Sequence, residues 1–259
     1  MESKDTEDNE PTTLSRRQFM QHLGAVGVVA LAGALGQRGH RVEPTLAASV
    51  KQTKAESGSA DEPGYKPVSS EQLYGFLTRS RYYPPHEREL EAAIESYRKQ
   101  PNFLEAAERI SKSYGGLIYQ AAKEIEAHTK WTIEPVWIEV MKGLIMVESS
   151  GWPEQVGPTG DMGLTQLNEA AVEDTKAILG IKGTVDLFNP KDNILLGFTY
   201  LVSNSQKFKQ EPIATIGSYH LGVKGMSETI RTTGSAWNPY FLSVAAAALA
   251  IRTQTTARP

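Results

Sequence analysis

The sequence predicts an all-α protein. Apolar residues recur at helical spacing across most of residues 71–253, and prolines or glycines punctuate the runs at intervals of one helix length. No stretch alternates apolar and polar residues for long enough to build a substantial sheet. With 259 residues, 40% hydrophobic and 22% charged, the chain has enough apolar material for one large domain or two small ones.

The elements follow in order. Residues 1–14 are polar and acidic. Ser15-Arg16-Arg17-Gln18-Phe19-Met20 then leads into a Gly/Ala-rich apolar run from His22 to Gly36. Paired arginines before a moderately apolar segment resemble a twin-arginine export signal, so residues 1–48 are expected to be an address rather than part of the fold. An ordinary Sec leader or an uncleaved anchor are the alternatives, although the run is shorter than the ~20 residues of a spanning helix. Either leader implies export, to the periplasm, the cell envelope or the outside. Residues 49–70 are rich in Lys, Ser, Glu, Pro and Gly and are expected to be a flexible linker.

Residues 71–128 are expected to form an N-terminal helical segment. Leu73, Tyr74, Phe76 and Leu77 suggest a short helix closed by Tyr82-Tyr83-Pro84-Pro85. Leu90, Ala93, Ile94 and Tyr97 give a second, stopped at Pro101. Phe103, Ala107, Ile110, Tyr114, Leu117, Ala121 and Ile125 give a longer one, with a kink expected at Gly115-Gly116. Residues 129–259 are expected to be a second helical domain. Its first helix starts near Glu134-Pro135, with proline in the first turn, and ends about Ser149. A loop or short hairpin follows, and helical patterns return at 167–179, 190–208, 211–221 and 237–253. The apolar run from Tyr240 to Ile251 has only twelve residues, which favours a buried closing helix over a membrane span.

Composition excludes several chemistries. There is no cysteine, so disulfides, thiolate metal sites, cysteine nucleophiles and lipidation are ruled out. The five histidines show no HExxH-like spacing, so no metal and no cofactor is expected. Net charge is −3 overall, with 22 basic against 24 acidic residues after position 48. That balance points to no nucleic-acid partner.

One residue stands out. Trp137, Met141, Leu144, Ile145 and Glu148 fall on one helical face, so an apolar stripe ends in a carboxylic acid. Partial burial and the negative end of the helix dipole both disfavour its charged form. A proton donor to a glycosidic oxygen needs that property. The plain alternative places Glu148 in solvent at a fraying helix end, or pairs it with a lysine.

The residues after Met146 resemble the soluble lytic transglycosylase family, relatives of goose-type lysozyme. Val147-Glu148-Ser149 is similar to its Glu-Ser segment, and Gly163-Leu164-Thr165-Gln166-Leu167 to its Gly-Leu-Met-Gln motif. Asn193-Ile194 with Gly197 and Tyr200-Leu201 is similar to its Asn-Ile-x-x-Gly-x-x-Tyr-Leu helix. Ser218-Tyr219-His220-Leu221-Gly222 is similar to its Ala-Tyr-Asn-Ala-Gly segment, and Tyr240 with Val244 to its closing helix. The resemblance covers about 130–250 and implies a lysozyme-like helical domain that cuts peptidoglycan glycan strands without a cofactor.

Carried over, the acid/base falls on Glu148. Ser149 would hydrogen-bond substrate or the acid, Gln166 and Tyr219 would line the glycan groove, and the backbone of Gly163-Leu164 would approach it. Tyr240 and His220 are further wall residues. Read structurally instead, Gly163 serves a turn, Asn193 bridges helices and Tyr219 is a core hydroxyl. Two positions depart from the family. Thr165 stands for Met, expected to leave a smaller, partly polar groove floor. His220 stands for Asn and can titrate.

The resemblance also implies the reaction. One glutamate protonates the leaving oxygen and then activates the muramic 6-hydroxyl, giving a 1,6-anhydro product. Acidic residues near Glu148 that could instead serve a hydrolase are Glu154, Asp161 and Asp192, with Asp161 the best water holder. A wall-binding module without catalysis is the remaining alternative. Cell-envelope machinery is a possible partner, and the sequence leaves oligomeric state open.

Overall fold

The computed structural model describes residues 65–82 and 87–256. The expected export signal at 1–48, residues 49–64 of the expected linker, and Tyr83–His86 lie outside the described residues.

The fold is organised around the helix that the sequence makes apolar on every side. Helix α5 (Val136–Ser149) buries all its residues except Val147, as a helix without a polar face must. Four helices precede it: α1 (Ser70–Thr78), α2 (Glu87–Arg98), α3 (Phe103–Arg109) and α4 (Gly115–Thr129), with a π-helical turn at Ile110–Tyr114 joining the last two. Four helices follow: α6 (Glu169–Leu179), α7 (Pro190–Lys207), α8 (Pro212–Thr233) and α9 (Pro239–Thr256). Among the described residues there is no strand, only isolated bridges at Val156–Met162 and Met162–Leu167.

α9 packs most extensively on α5 and also covers α2. Small side chains allow the approach. A Cβ on Gly143 would stand 2.5 Å from the Val244 carbonyl oxygen and 2.7 Å from the Ala248 Cβ. Ala245–Ala248 are all buried on the facing helix. The terminal apolar run is thus a buried closing helix, and no helix among the described residues is long and apolar enough to cross a membrane. On the other side, Phe76 of α1 meets Trp137 edge-on at 4.9 Å between ring centroids, and α4 packs against α7.

Several expected boundaries move. The anticipated division at 128/129 falls inside one core, because α2 packs on α9 and α4 on α7. The linker assignment overshoots at its C-terminal end. Ser69 caps α1 through a reciprocal capping box with Gln72. The Val68 carbonyl accepts a hydrogen bond from Arg252 Nε at 2.5 Å, and Tyr65 donates its hydroxyl to Glu139. A composition average over twenty-two residues hides one aromatic anchor. Glu139 is otherwise paired with Lys142 at 3.0 Å, both side chains almost fully enclosed, so each buried charge has its counter-charge.

The expected kink at Gly115-Gly116 is instead a widened turn just before it. Gly115 itself is helical, with φ −55° and ψ −46°, and the irregularity is taken up over Ile110–Tyr114. Helix α8 runs beyond the expected 221 because the chain turns at Gly222, φ 70° and ψ 161°, and resumes. Met226 then returns against Gly217, where a Cβ would lie 2.7 Å from its sulfur.

The tight α5–α9 crossing predicts a clear cost for added volume. Gly143→Ala must push against α9 backbone, so it is expected to lose about 1–3 kcal/mol, lowering Tm by roughly 3–10 °C in a domain of this size. Urea unfolding and a thermal melt check this, and an unchanged Tm contradicts the crossing geometry.

Candidate functional site

Glu148 lies in the last turn of α5 and is 8% exposed, at the end of a stripe in which Trp137, Met141, Leu144 and Ile145 are at most 1% exposed. The solvent-facing alternative does not hold. Tyr240, in the first turn of α9 and itself buried, donates its hydroxyl to Glu148 Oε1 at 2.5 Å. The exposed ring of His220 stacks on Tyr240, with centroids 5.0 Å apart and planes 16° from parallel.

Two more phenols come within electrostatic reach of the carboxyl. Burial pushes the Tyr219 hydroxyl well above the ordinary tyrosine pKa, and the charge of Glu148 adds to that. Tyr97, from α2, is likewise raised by burial. A hydrogen bond with Ser243 opposes the shift and Glu148 again contributes to it. Three helices other than α5 therefore present tyrosines toward one acid.

The chain reverses sharply after α5. Ser150 (φ 52°) and Gly151 (φ 79°) are both left-handed, a helix end that a glycine accommodates without strain. Ser149 is turned inward. Its hydroxyl reaches the Leu164 carbonyl at 2.8 Å and the Ile145 carbonyl at 3.2 Å, and accepts from the Gly151 amide at 3.2 Å. It is 6% exposed, so the expected contact with substrate gives way to a brace between α5 and the next loop.

From the preceding helices, Arg109 donates to the Gly151 carbonyl at 3.2 Å and the Ser150 carbonyl at 2.8 Å. Tyr114 also donates to the Gly151 carbonyl, at 3.2 Å. The Arg109 guanidinium lies 3.9 Å over the Trp152 ring. Sequence reasoning missed Tyr97, Arg109 and Tyr114 as site residues, since they lie 51, 39 and 34 residues before the acid and carry no motif. Their only sequence signal is a tyrosine or arginine on an otherwise core-facing helical stripe.

The Gly163–Gln166 loop is anchored from α7. Gly163 (φ 78°) has room for no side chain, as a Cβ would fall 2.2 Å from both Asn193 Nδ2 and the Leu187 carbonyl. Fully buried Asn193 accepts from the Thr165 amide at 2.9 Å and the Thr165 hydroxyl at 2.7 Å. It donates to the Met162 and Leu187 carbonyls at 3.0 and 2.9 Å. Bridging, rather than substrate contact, is its visible role. Leu164 is fully buried, and Thr165 is too. The Thr165 side chain faces Gly197, where a Cβ would meet its oxygen at 2.4 Å. It occupies a core slot and is not the groove floor that was expected.

Gln166, left-handed at φ 49°, donates its amide to the Gln155 and Gly163 carbonyls at 3.0 and 2.9 Å. Its donors thus hold the loop closed. Tyr219 donates to the Thr165 carbonyl at 3.0 Å and meets Tyr200 edge-on at 5.2 Å. The structure therefore brings Glu148, Tyr219, His220 and Tyr240 together, with Ser149, Gly163, Leu164 and Gln166 behind them as supports. Asp161, half-exposed, accepts from Thr159 at 2.5 Å. Among the described residues no three His, Asp or Glu side chains gather as a metal site.

The Asn193 bridge predicts that neither amide edge can be spared. Asn193→Ala takes their Asn193 partner from the Thr165 amide and the Leu187 carbonyl, at about 1–3 kcal/mol each, and leaves the Met162 carbonyl with the Leu167 amide alone. A loss of at least ~3 kcal/mol in urea unfolding is expected. Asn193→Asp sets an oxygen against two carbonyls and is expected to fare no better. A near-neutral result for Asn193→Asp overturns the assigned donor side.

No curated protein matches the chain. Residues 124–241 match the family model described as the Transglycosylase SLT domain. The match begins within α4, ends in the first turn of α9, and contains Glu148, both loops, Asn193, Tyr219 and Tyr240. Residues 124–241 are therefore a soluble lytic transglycosylase-type domain, built on an all-α, lysozyme-like fold.

Proposed function

We propose that the protein cleaves the β-1,4 glycan between N-acetylmuramic acid and N-acetylglucosamine in peptidoglycan, with Glu148 as the single acid/base. SLT domains are lysozyme-like, peptidoglycan-cleaving modules, which sets the substrate class. The observation that carries the finer reading is the enclosed carboxyl of Glu148, gripped by the Tyr240 hydroxyl at the C-terminal end of α5. Low exposure and the negative helix end both favour the neutral acid, and a neutral acid has a proton to give.

In the first step the C1–O4 bond breaks and the departing O4 takes the proton from Glu148. The substrate's own N-acetyl group stabilises the sugar cation. The muramic O6 then bonds to C1 while its proton returns to the carboxylate, closing a 1,6-anhydro ring with no water consumed. Tyr240 keeps the carboxyl in one orientation through both steps, and Tyr219, Tyr240 and His220 form the wall beside it.

Hydrolysis by the same acid is the second reading. Its support is Asp161, whose charge reaches Tyr219, the same phenol that the charge of Glu148 reaches. Peptidoglycan lies outside the cytoplasm, which agrees with the twin-arginine-type segment read in residues 1–48.

Digestion of purified peptidoglycan followed by mass spectrometry tests the reaction. The expected ends are one water lighter than hydrolysed ends, and ordinary reducing ends establish the hydrolytic reading instead. Glu148→Gln is expected to lower clearing of a peptidoglycan gel by at least about 10³-fold, while Tyr240→Phe is expected to lower it by about tenfold with little change in Tm. Full clearing by Glu148→Gln sinks the assignment. For export, Arg16→Lys with Arg17→Lys is expected to leave the unprocessed chain in the cytoplasmic fraction, whereas normal secretion refutes the twin-arginine route.

A further inference from the structure

Trp152 is 46% exposed, four residues beyond Glu148. A large exposed aromatic is unremarkable where it lies loosely on a surface. This one is fixed from several directions. One face of the indole rests on the Arg109 guanidinium at 3.9 Å. That guanidinium is held by the Ser150 and Gly151 carbonyls and by Glu105, 3.3 Å away, so every edge of it is engaged. The Trp152 backbone lies between left-handed Gly151 and Pro153, and a residue before proline is confined to extended conformations. With one face stacked and about half the side chain exposed, the ring offers its other face to solvent.

We propose that the Arg109–Trp152 stack is a carbohydrate-binding platform of the Glu148 groove, taking the apolar C–H face of a β-1,4-linked N-acetylhexosamine ring. The inference rests on the glycan reading above. A pyranose ring carries axial C–H groups on one face, and the electron-rich face of an indole attracts them as it attracts other weakly positive edges. Arg109 beneath the ring fixes its tilt before substrate arrives, so little ordering cost is left to binding. The spacing suits a subsite near the cleaved bond. Four residues of chain span at most about 14 Å, which keeps Trp152 within a few sugar units of the acid.

The platform is assembled from two parts of the chain. Trp152 lies within the segment that matches the SLT domain, and Arg109 lies outside it on α3. Residues preceding the family segment thereby acquire a function. They provide the underside of a substrate-binding ring, and Tyr114, sharing the Gly151 carbonyl, stiffens the same turn.

The test uses the Glu148→Gln protein, so that bound glycan is not cut, and titrates it calorimetrically with the β-1,4-linked tetramer of N-acetylglucosamine. Adding Trp152→Ala is expected to raise Kd at least about tenfold. Trp152→Phe, which keeps an aromatic face, should raise it by only a fewfold. Arg109→Ala, which removes the backing and leaves the ring, falls between them. Because Trp152 is half exposed, Tm should hold in both Trp152 variants, whereas Arg109→Ala also removes the bonds to the Ser150 and Gly151 carbonyls and should lower it; the Phe variant carries the comparison if the Ala variant does not fold. A Kd for Trp152→Ala within twofold of its parent overturns the platform, as does a parent that binds no tetramer. Digestion by the wild-type protein separates the two failures. Continued cleavage of peptidoglycan then leaves the glycan reading standing without the platform, whereas absence of cleavage removes both.

Discussion

A carboxyl group has to be kept out of water at the end of an apolar helix, and most of the surrounding structure serves that constraint. Taking an ionised carboxylate into an apolar interior costs several kcal/mol unless it is compensated. Glu139, on the same helix, meets the problem with a counter-ion, Lys142, and a phenol, Tyr65. Glu148 is met by the phenol of Tyr240 and lies within the field of Tyr97 and Tyr219. The contrast separates two uses of a buried acid. Lys142 gives Glu139 a counter-charge, and the Tyr65 phenol ties the start of the described chain to it. The Tyr240 phenol orients Glu148 through a hydrogen bond and brings no full counter-charge to it, which suits a group that must give and retake a proton.

That arrangement is rigid because two braces grip the loops on either side of the acid. Asn193 uses both edges of its amide to hold the Gly163–Gln166 loop to α7. Arg109 and Tyr114 hold the Ser150–Gly151 turn from the other direction. Ser149 ties the two loops together through the Leu164 carbonyl. Backbone carbonyls receive nearly all these bonds, so the loops are shaped by side chains from the helices, with Thr165 and Gln166 of the loop itself adding to the same network.

The distribution of those bonds explains what was legible in the sequence. The orientation of Glu148 follows from a periodicity, since Trp137, Met141, Leu144 and Ile145 can only be buried together and they carry the acid's azimuth with them. The closing helix was legible because twelve apolar residues of mostly small volume suit a close crossing better than a membrane. Loop side chains were not. Whether Ser149 or Gln166 faces substrate or backbone depends on left-handed residues at Ser150 and Gln166, and polar residues carry no period from which direction can be read. Tyr65 and Arg109 escaped for a different reason. Each acts across 40 or more residues of sequence, and a composition window or a helical stripe sees only neighbours.

The two departures from the family pattern have unequal consequences. Thr165 would bear on binding if it floored the groove, but its hydroxyl is spent on Asn193 and its bulk fills the space left by Gly197. The threonine packs against a glycine that keeps the family pattern, so it reads as a core exchange and lends no weight to a lost activity. His220 is different, because its ring is exposed and lies flat on Tyr240. Whatever histidine adds at this position passes through the phenol that holds Glu148. A charge on that imidazole would sit against the face of the Tyr240 ring, which attracts cations, and would strengthen the stack. The one substitution that faces the groove is thus linked, through a single ring, to the enclosed carboxyl of Glu148.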